Sequence, residues 1–389
     1  MRQMSRRERV ETTLGHEEPD RIPWDCPFGY EAYDNLKRYL GIKIEEKTRF
    51  NHWLAPEIDI EIAEELKLDL LYVGLKKPKN AQGFDPDKEF YIDEFGVTFR
   101  RINRPNGEFY FDPYEEKAPL KDATTKDLDG YPWPDPYDLA RIDELKEKIE
   151  NLYKNTDFAL VGKFGIPPFT QAMLMRGIEQ WLMDLILNPE FAIALLEKLV
   201  NISSSLDEAG LEVAGKYLSL LRFAGDDMGS QNGTLMSPKV FRDVVKPALK
   251  KQYSRSKEAF LKKNSKGKIF NHTCGDVFEI IPDYIDIGLD VLNNLQPVGS
   301  MDYKKIKELY GNKLSFHGGI DIQKVLNFGT PDDIYNEVKK CIKILGPGGG
   351  YILSPTIHVQ SDIPPENILA LRDTVMELGK YPINLYNQL

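Results

Sequence analysis

Three of the chain's five histidines, His272, His317 and His358, follow closely on short apolar runs of strand length. The sharpest pattern is Phe270-Asn271-His272-Thr273-Cys274-Gly275. There an imidazole and a thiol two residues apart, at the end of a strand, can face one metal ion. No other cysteine is near, so a zinc ion at this point would need a third ligand from another strand end, with His358, His317 or Asp227 as the options. The alternative is a buried Cys274 that packs as a small apolar group while His272 hydrogen-bonds a substrate. A second pattern, Phe223-Ala224-Gly225-Asp226-Asp227-Met228-Gly229, sets paired carboxylates directly after an apolar run. Two carboxylates this close push one pKa upward, which suits a general acid, a metal ligand or an acceptor for N–H groups. Either aspartate could instead cap the next turn, and Asp226 serves chemistry only if it points the right way.

Such residues need elements to hold them. Eight short apolar runs read as strands: the one entered through Pro19-Asp20-Arg21-Ile22-Pro23-Trp24-Asp25, then Leu68–Leu75, Ala159–Phe164, Tyr217–Phe223, Lys268–Asn271, Asp290–Leu295, Lys313–Phe316 and Tyr351–Ser354. Arg6–Leu14 reads as a short helix. Amphipathic segments of helical length cover Thr170–Leu187, Pro238–Lys263, Val277–Gly288, Tyr303–Tyr310, Pro331–Leu345 and Pro365–Leu378, several opened by a proline that costs nothing at the first helical position. Strands alternating with helices imply parallel pairing through right-handed crossovers, and eight units predict an α/β fold, the closed (β/α)8 TIM barrel. The whole chain, 1–389, reads as one barrel domain. An insertion at about 76–157, between the second and third strands, carries a β-hairpin around Pro105-Asn106-Gly107 and an extended surface segment, Tyr131-Pro132-Trp133-Pro134-Asp135-Pro136.

In such a barrel chemistry gathers where strands give way to their following loops. In chain order the strand ends deliver Asp25 and Cys26, Lys163, Asp226 and Asp227, His272 and Cys274, Asn294 and Gln296, His317 and Asp321, and Ser354 and His358. Asp226, Asp227, His272 and His317 are the catalytic candidates, and His272, Cys274 and His358 the metal-ligating ones. Trp24, Asp25, Phe28, Tyr30, Lys163, Asn294, Gln296 and His358 are the candidates for holding substrate. The aromatics Trp24, Phe28, Tyr30, Tyr33 and Trp53 could wall a pocket for a flat or apolar ligand, or simply pack in the core. Gly346-Pro347-Gly348-Gly349-Gly350 precedes a strand and so reads as a turn on the opposite face, not as a phosphate cradle. Cys341 falls on the apolar face of its helix and reads as core.

The bulk properties agree with an enzyme of small molecules. Its 389 residues suffice for one large barrel, and 41% hydrophobic with 29% charged residues is ordinary globular usage. Fifty-one basic against 61 acidic residues, a formal charge of −10, give no basic field for a nucleic-acid backbone. Three scattered cysteines indicate a reducing compartment. A charged N-terminus and the lack of any long uncharged apolar window predict a soluble, cytoplasmic protein with no membrane partner.

The segments RERVETTLGHEEPDRIPWD, GDDMGSQNGTLMSPKVFRDVVKPALKK, NHTCGDVFEIIPDYIDIGLDVLNNLQP, FHGGIDIQKVLNFGTPDDI and GPGGGYILSPTIHVQSDIPPENILAL resemble the uroporphyrinogen decarboxylase-like superfamily, and within it the corrinoid-dependent methyltransferases. The likeness runs through nearly the whole chain. It implies the same barrel, zinc as the metal, a corrinoid supplied by a carrier protein, a small methylated substrate and an anaerobic setting; a homodimer is compatible with it. True decarboxylases of the superfamily carry W-F-M-R-Q-A-G-R after the first strand to bind propionates, where this chain has Ile22-Pro23-Trp24-Asp25-Cys26-Pro27-Phe28. The methylcobalamin:thiol methyltransferases hold zinc with H-x-C and a further cysteine at the last strand. His272 and Cys274 fit the first part, but Ser354-Pro355-Thr356-Ile357-His358 holds no cysteine. The resemblance thus implies the other half-reaction, an O-demethylase type that moves methyl from an O-methyl donor, a phenyl methyl ether first, to a Co(I) corrinoid. The alternatives are a thiol methyltransferase, a uroporphyrinogen decarboxylase and a non-catalytic corrinoid-binding accessory protein.

Overall fold

The computed structural model describes residues 2–43, 57–81, 85, 87–103 and 109–383. Seven parallel strands form one curled sheet in which chain order is spatial order: β1 (Leu70–Gly74), β2 (Ala159–Lys163), β3 (Leu220–Phe223), β4 (Lys268–His272), β5 (Val291–Leu295), β6 (Ser315–Ile320) and β7 (Tyr351–Pro355). Helices cross between them on the outside, the arrangement that parallel pairing demands.

The expected first strand is present as a single bridge. Trp24 pairs in parallel with Leu353 of β7. The Leu353 amide donates to the Pro23 carbonyl at 3.0 Å and the Asp25 amide to the Leu353 carbonyl at 2.9 Å, while on the other side the Asp69 amide donates to the Trp24 carbonyl at 3.1 Å. This segment therefore closes the sheet into a (β/α)8 TIM barrel. Pro23 and Pro27 have no N–H to give, which keeps the eighth strand short.

Because side chains alternate along a strand, every second residue points inward. Leu70, Ala159, Val161, Leu220, Phe270, Val291 and Ile352 pack inside the barrel, and Val10 and Leu14 of the helix Arg6–Leu14 join them. Continuing the same alternation toward the strand ends, the inward positions become Tyr72, Lys163, Arg222, His272, Asn293 and His317. The interior thus changes from apolar to polar along its axis. Buried Arg9, ion-paired to Asp20 and Asp69, ties the N-terminal helix in place.

The helices Arg6–Leu14, Tyr303–Tyr310, Pro331–Leu345 and Pro365–Leu378 have the predicted bounds. The predicted helix Thr170–Leu187 is two, Pro168–Arg176 and Ile178–Leu187, parted at Gly177 with φ +88°. A 26-residue helix, Pro189–Ala214, was missing from the sequence prediction; it is buried along one face, and its Ser203-Ser204-Ser205 run blurs the apolar pattern. The insertion holds a three-stranded antiparallel sheet of Phe90–Ile92, Thr98–Asn103 and Phe109–Pro113, one strand more than a hairpin. Its turn at Pro105-Asn106-Gly107 lies outside the described residues, as does Trp53. The insertion docks on the helix after β2, where Arg176 donates to the carbonyls of Leu120, Lys121 and Ala123. Tyr131 and Trp133 are not a bare surface run: they pack on the core, and Tyr131 donates to the Phe95 carbonyl.

Candidate active site

The loop after β3 runs on beside the loop after β4 as an informal extension of the sheet. The Asp226 amide donates to the His272 carbonyl and the Gly229 amide to the Cys274 carbonyl, both at 3.1 Å, while the Met228 amide donates to Thr273 Oγ1. Two glycines permit this closeness. At Gly225, φ +104°, a Cβ would stand 3.0 Å from the His272 ring, and at Gly275, φ +81°, one would lie 2.3 Å from the Gly229 backbone. The two sequence patterns that stood out separately are therefore one structural unit.

Within it, Asp227, His272 and Cys274 bring one oxygen, one nitrogen and one sulfur within 4.8 Å of one another. Asp227 Oδ1 accepts from the Cys274 amide at 2.9 Å and lies 3.6 Å from His272 Nε2. Cys274 Sγ is 3.3 Å from His272 Nε2, and Asn294 Nδ2 reaches the sulfur at 3.6 Å. Burial pulls the His272 pKa down to about 4, with Asp227 opposing and Arg222 reinforcing the shift, so the ring is neutral near pH 7. Burial, with the Asp227 carboxylate next to it, holds the Cys274 thiol well above the usual range.

Which nitrogen of His272 carries the proton follows from Asn293. Its Nδ2 lies 3.1 Å from the His317 carbonyl oxygen, which only accepts, so the amide orientation is fixed. That same Nδ2 is 2.9 Å from His317 Nδ1, which must accept, leaving His317 Nε2–H to donate to Asp25 Oδ2 at 3.0 Å. The other end, Oδ1, faces His272 Nδ1 at 2.5 Å, which must donate. His272 Nε2 is left with a lone pair directed at Cys274 and Asp227. A metal ligand requires that state, with the far nitrogen held by an outer partner. Tyr72 completes the chain by donating to Asp25 Oδ2 at 2.6 Å.

The remaining predicted residues take different places. Asp25 and His317 join the hydrogen-bonded chain just described. His358 stands outside the thiol, imidazole and carboxylate cluster; of the three residues offered as a third ligand, Asp227 is the one that lies beside His272 and Cys274, and burial together with Arg222, Lys163 and His272 keeps the His358 ring neutral. Gln296 Oε1 accepts from the Gly275 amide at 2.9 Å and so braces the ligand loop. Asp226 turns away, accepting from the Thr170 amide at 2.9 Å and lining a small internal space with Leu249, Tyr253 and Tyr284. Burial there raises its pKa to about 7. Trp24 and Phe28 are wholly buried in the core, the Trp24 ring N–H donating to the Lys67 carbonyl, so they wall no pocket. Tyr30 opens the helix Tyr30–Tyr39 and is half-buried.

Sequence reasoning missed Asn293, Arg222 and Tyr72. Each is the inward residue of a strand just below its end, and the period-2 alternation read outward from the apolar layer would have found them.

This is a TIM barrel with a thiol, an imidazole and a carboxylate gathered at the loops that follow its strands. It belongs to the uroporphyrinogen decarboxylase (URO-D) family, whose model matches residues 111–378. A methylated-thiol–coenzyme M methyltransferase from Methanosarcina mazei is 23% identical over 280 residues, 70% of this chain and 68% of that protein. A uroporphyrinogen decarboxylase from Psychromonas ingrahamii is 25% identical over 267 residues, 65% of this chain and 69% of that one. Among solved structures, a methyltransferase from Methanosarcina mazei superposes with a TM-score of 0.63 at 20% identity, covering 96% of this chain and 99% of its own, a likeness of fold. No helix among the described residues is long and apolar enough to cross a membrane.

Proposed function

We propose that this chain is a corrinoid-dependent methyltransferase that moves a methyl group from an O-methyl donor, a phenyl methyl ether first, to the Co(I) corrinoid of a separate carrier protein. The observation that carries the reading is the His272 Nε2 lone pair, held toward Cys274 and Asp227 at the open end of the barrel. Nitrogen, sulfur and oxygen donors suit zinc, and their outer partners are in place, so His272, Cys274 and Asp227 are the residues that would hold it. Bound there, zinc supplies Lewis acidity toward an oxygen or sulfur on the substrate.

The chain's own residues do the rest. Asn293 holds the His272 proton on Nδ1, and the His317–Asp25–Tyr72 series holds Asn293 in turn. Asp227 fixes the Cys274 backbone while presenting its carboxylate to the ring. Breaking the methyl–oxygen bond sends the methyl carbon to the nucleophilic cobalt and leaves both bonding electrons on the donor oxygen. That oxygen is a poor leaving group unless positive charge or a proton meets it. The mouth must also admit the carrier's corrinoid.

A second reading, transfer between a methylated thiol and a corrinoid, is favoured by the Methanosarcina mazei relative. Against it stands the last strand end, which brings no cysteine. Mixing the protein with a Co(I) carrier and a panel of methoxyarenes, methanol, methylamines and methylated thiols separates the readings by the methyl-Co(III) absorption spectrum. Formation with methoxyarenes alone supports the first reading, and formation with methylated thiols alone replaces it with the second. Formation with neither class overturns both.

A further inference from the structure

The barrel mouth contains two cations that the catalytic chain does not use. Arg222 is the inward residue of β3 and only 7% exposed, and its Nε is sealed from solvent without an acceptor. Its guanidinium carbon lies 5.7 Å from the Tyr72 ring centre and 5.5 Å from that of Phe270, contacts with ring faces that offer no counter-charge of their own. Lys163 ends the neighbouring strand β2. Among the described residues, neither has a carboxylate within salt-bridge distance or a side-chain hydrogen bond.

The nearby acids are already committed. Asp25 accepts from Tyr72, His317 and the Cys26 amide, and Asp227 accepts from the Cys274 amide and faces His272. His272 and His358, which share the field of both cations, are neutral. Burying a charge without a partner is costly, and a buried cation is ordinarily paired and hydrogen-bonded.

We infer that Lys163 and Arg222 form an anion subsite inside the barrel mouth, built for a carboxylate or sulfonate on the substrate. Burial and Arg222 together bring the Lys163 pKa down to about 7, the electrostatic cost expected of a subsite awaiting its anion. A planar guanidinium takes two oxygens of such a group side by side, and the ammonium takes a third contact. Assigning the anion to the methyl donor or to a thiol rests on the methyltransferase reading, whereas the binding itself does not.

Calorimetric titration of the carrier-free protein tests it with two matched pairs: 4-methoxybenzoate against 4-methoxybenzyl alcohol, and 2-mercaptoethanesulfonate against 2-mercaptoethanol. The expected result is about tenfold or greater preference for the anion in at least one pair, the gain of a charge-assisted contact over a neutral one. The pair that shows it tells whether donor or thiol carries the charge. Arg222→Gln and Lys163→Met should each erase most of the preference while the neutral partner binds as before. Without ligand, Lys163→Met should raise the unfolding temperature, whereas a purely structural lysine would lower it. Equal binding within both pairs, or a preference that survives both substitutions, overturns the subsite. A sustained preference with no methyl transfer from any donor would overturn the proposed function and leave the subsite standing.

Discussion

Replacing Asn293 by leucine, which is nearly isosteric, is the most direct test of how the ligand histidine is held. The change removes one acceptor and one donor from a site that is 4% exposed. Three groups lose their partner at once: His272 Nδ1–H, His317 Nδ1 and the His317 carbonyl oxygen. An unsatisfied buried polar group costs about 1–3 kcal/mol, and leucine leaves little room for a replacing water, so a stability loss of roughly 3 kcal/mol or more is expected. The sharper consequence concerns His272, whose ring is no longer bound to keep its proton on Nδ1. When the proton sits on Nε2 the lone pair points away from Cys274 and Asp227. Loss of such an outer partner lowers metal affinity by about 10–100-fold. Competition with a chromophoric chelator measures this without any turnover, and circular dichroism with thermal unfolding shows whether the barrel survives. Zinc affinity within a factor of about two of the parent, in folded protein, would refute the tautomer argument. His272 would then be oriented by something other than Asn293.

The two aspartates should part company. Asp227→Asn should lose both zinc affinity and transfer rate, whereas Asp226→Asn should transfer methyl at nearly the parent rate. The Asp226 carboxyl, raised to about 7 in the fold, holds a proton that the unfolded chain releases near its ordinary value of 3.8. The folded form therefore binds more protons across that window, so its contribution to stability is complete below about pH 4 and falls away as pH rises toward 7. Asp226→Asn should thus stabilise the protein at pH 8, by at most on the order of 4 kcal/mol, and much less at pH 4; melting curves with the same gain at both would contradict the assigned burial. Metal-replete protein should contain about one equivalent of zinc, and His272→Ala should lose it together with about 100-fold or more of the transfer rate while remaining folded. Elemental analysis showing no zinc, with parent activity in chelator, would leave hydrogen bonding alone to assist the leaving group.

Much of the barrel was readable because its signals are local. Pro331–Leu345 and Pro365–Leu378 combine a proline start with an apolar stripe, and neither depends on a distant partner to be recognised. Pro189–Ala214 escaped because its buried face includes serines whose partners lie elsewhere: Ser203 Oγ donates to the Ile166 carbonyl and accepts from Gln252. The closing strand was legible as an extended run, but its reduction to one bridge depends on which neighbours meet Pro23. Trp24 and Phe28 looked like pocket walls because aromatic type carries no direction.

The sequence by itself determined the βα rhythm, the pairing of His272 with Cys274 at one strand end, and the absence of a cysteine at the last. Each follows from residue type and spacing within a single element. Only the tertiary structure decided that Asp227 and not Asp226 faces the sulfur, for adjacent residues differ in direction by a backbone turn that Gly225 and the neighbouring loop impose. It also decided the Asn293 link between two histidines from different strands, and the meeting of Arg222 with Lys163 without a counter-ion. These are relations across the barrel axis, fixed by strand register and closure, and a linear chain does not carry a coordinate for them.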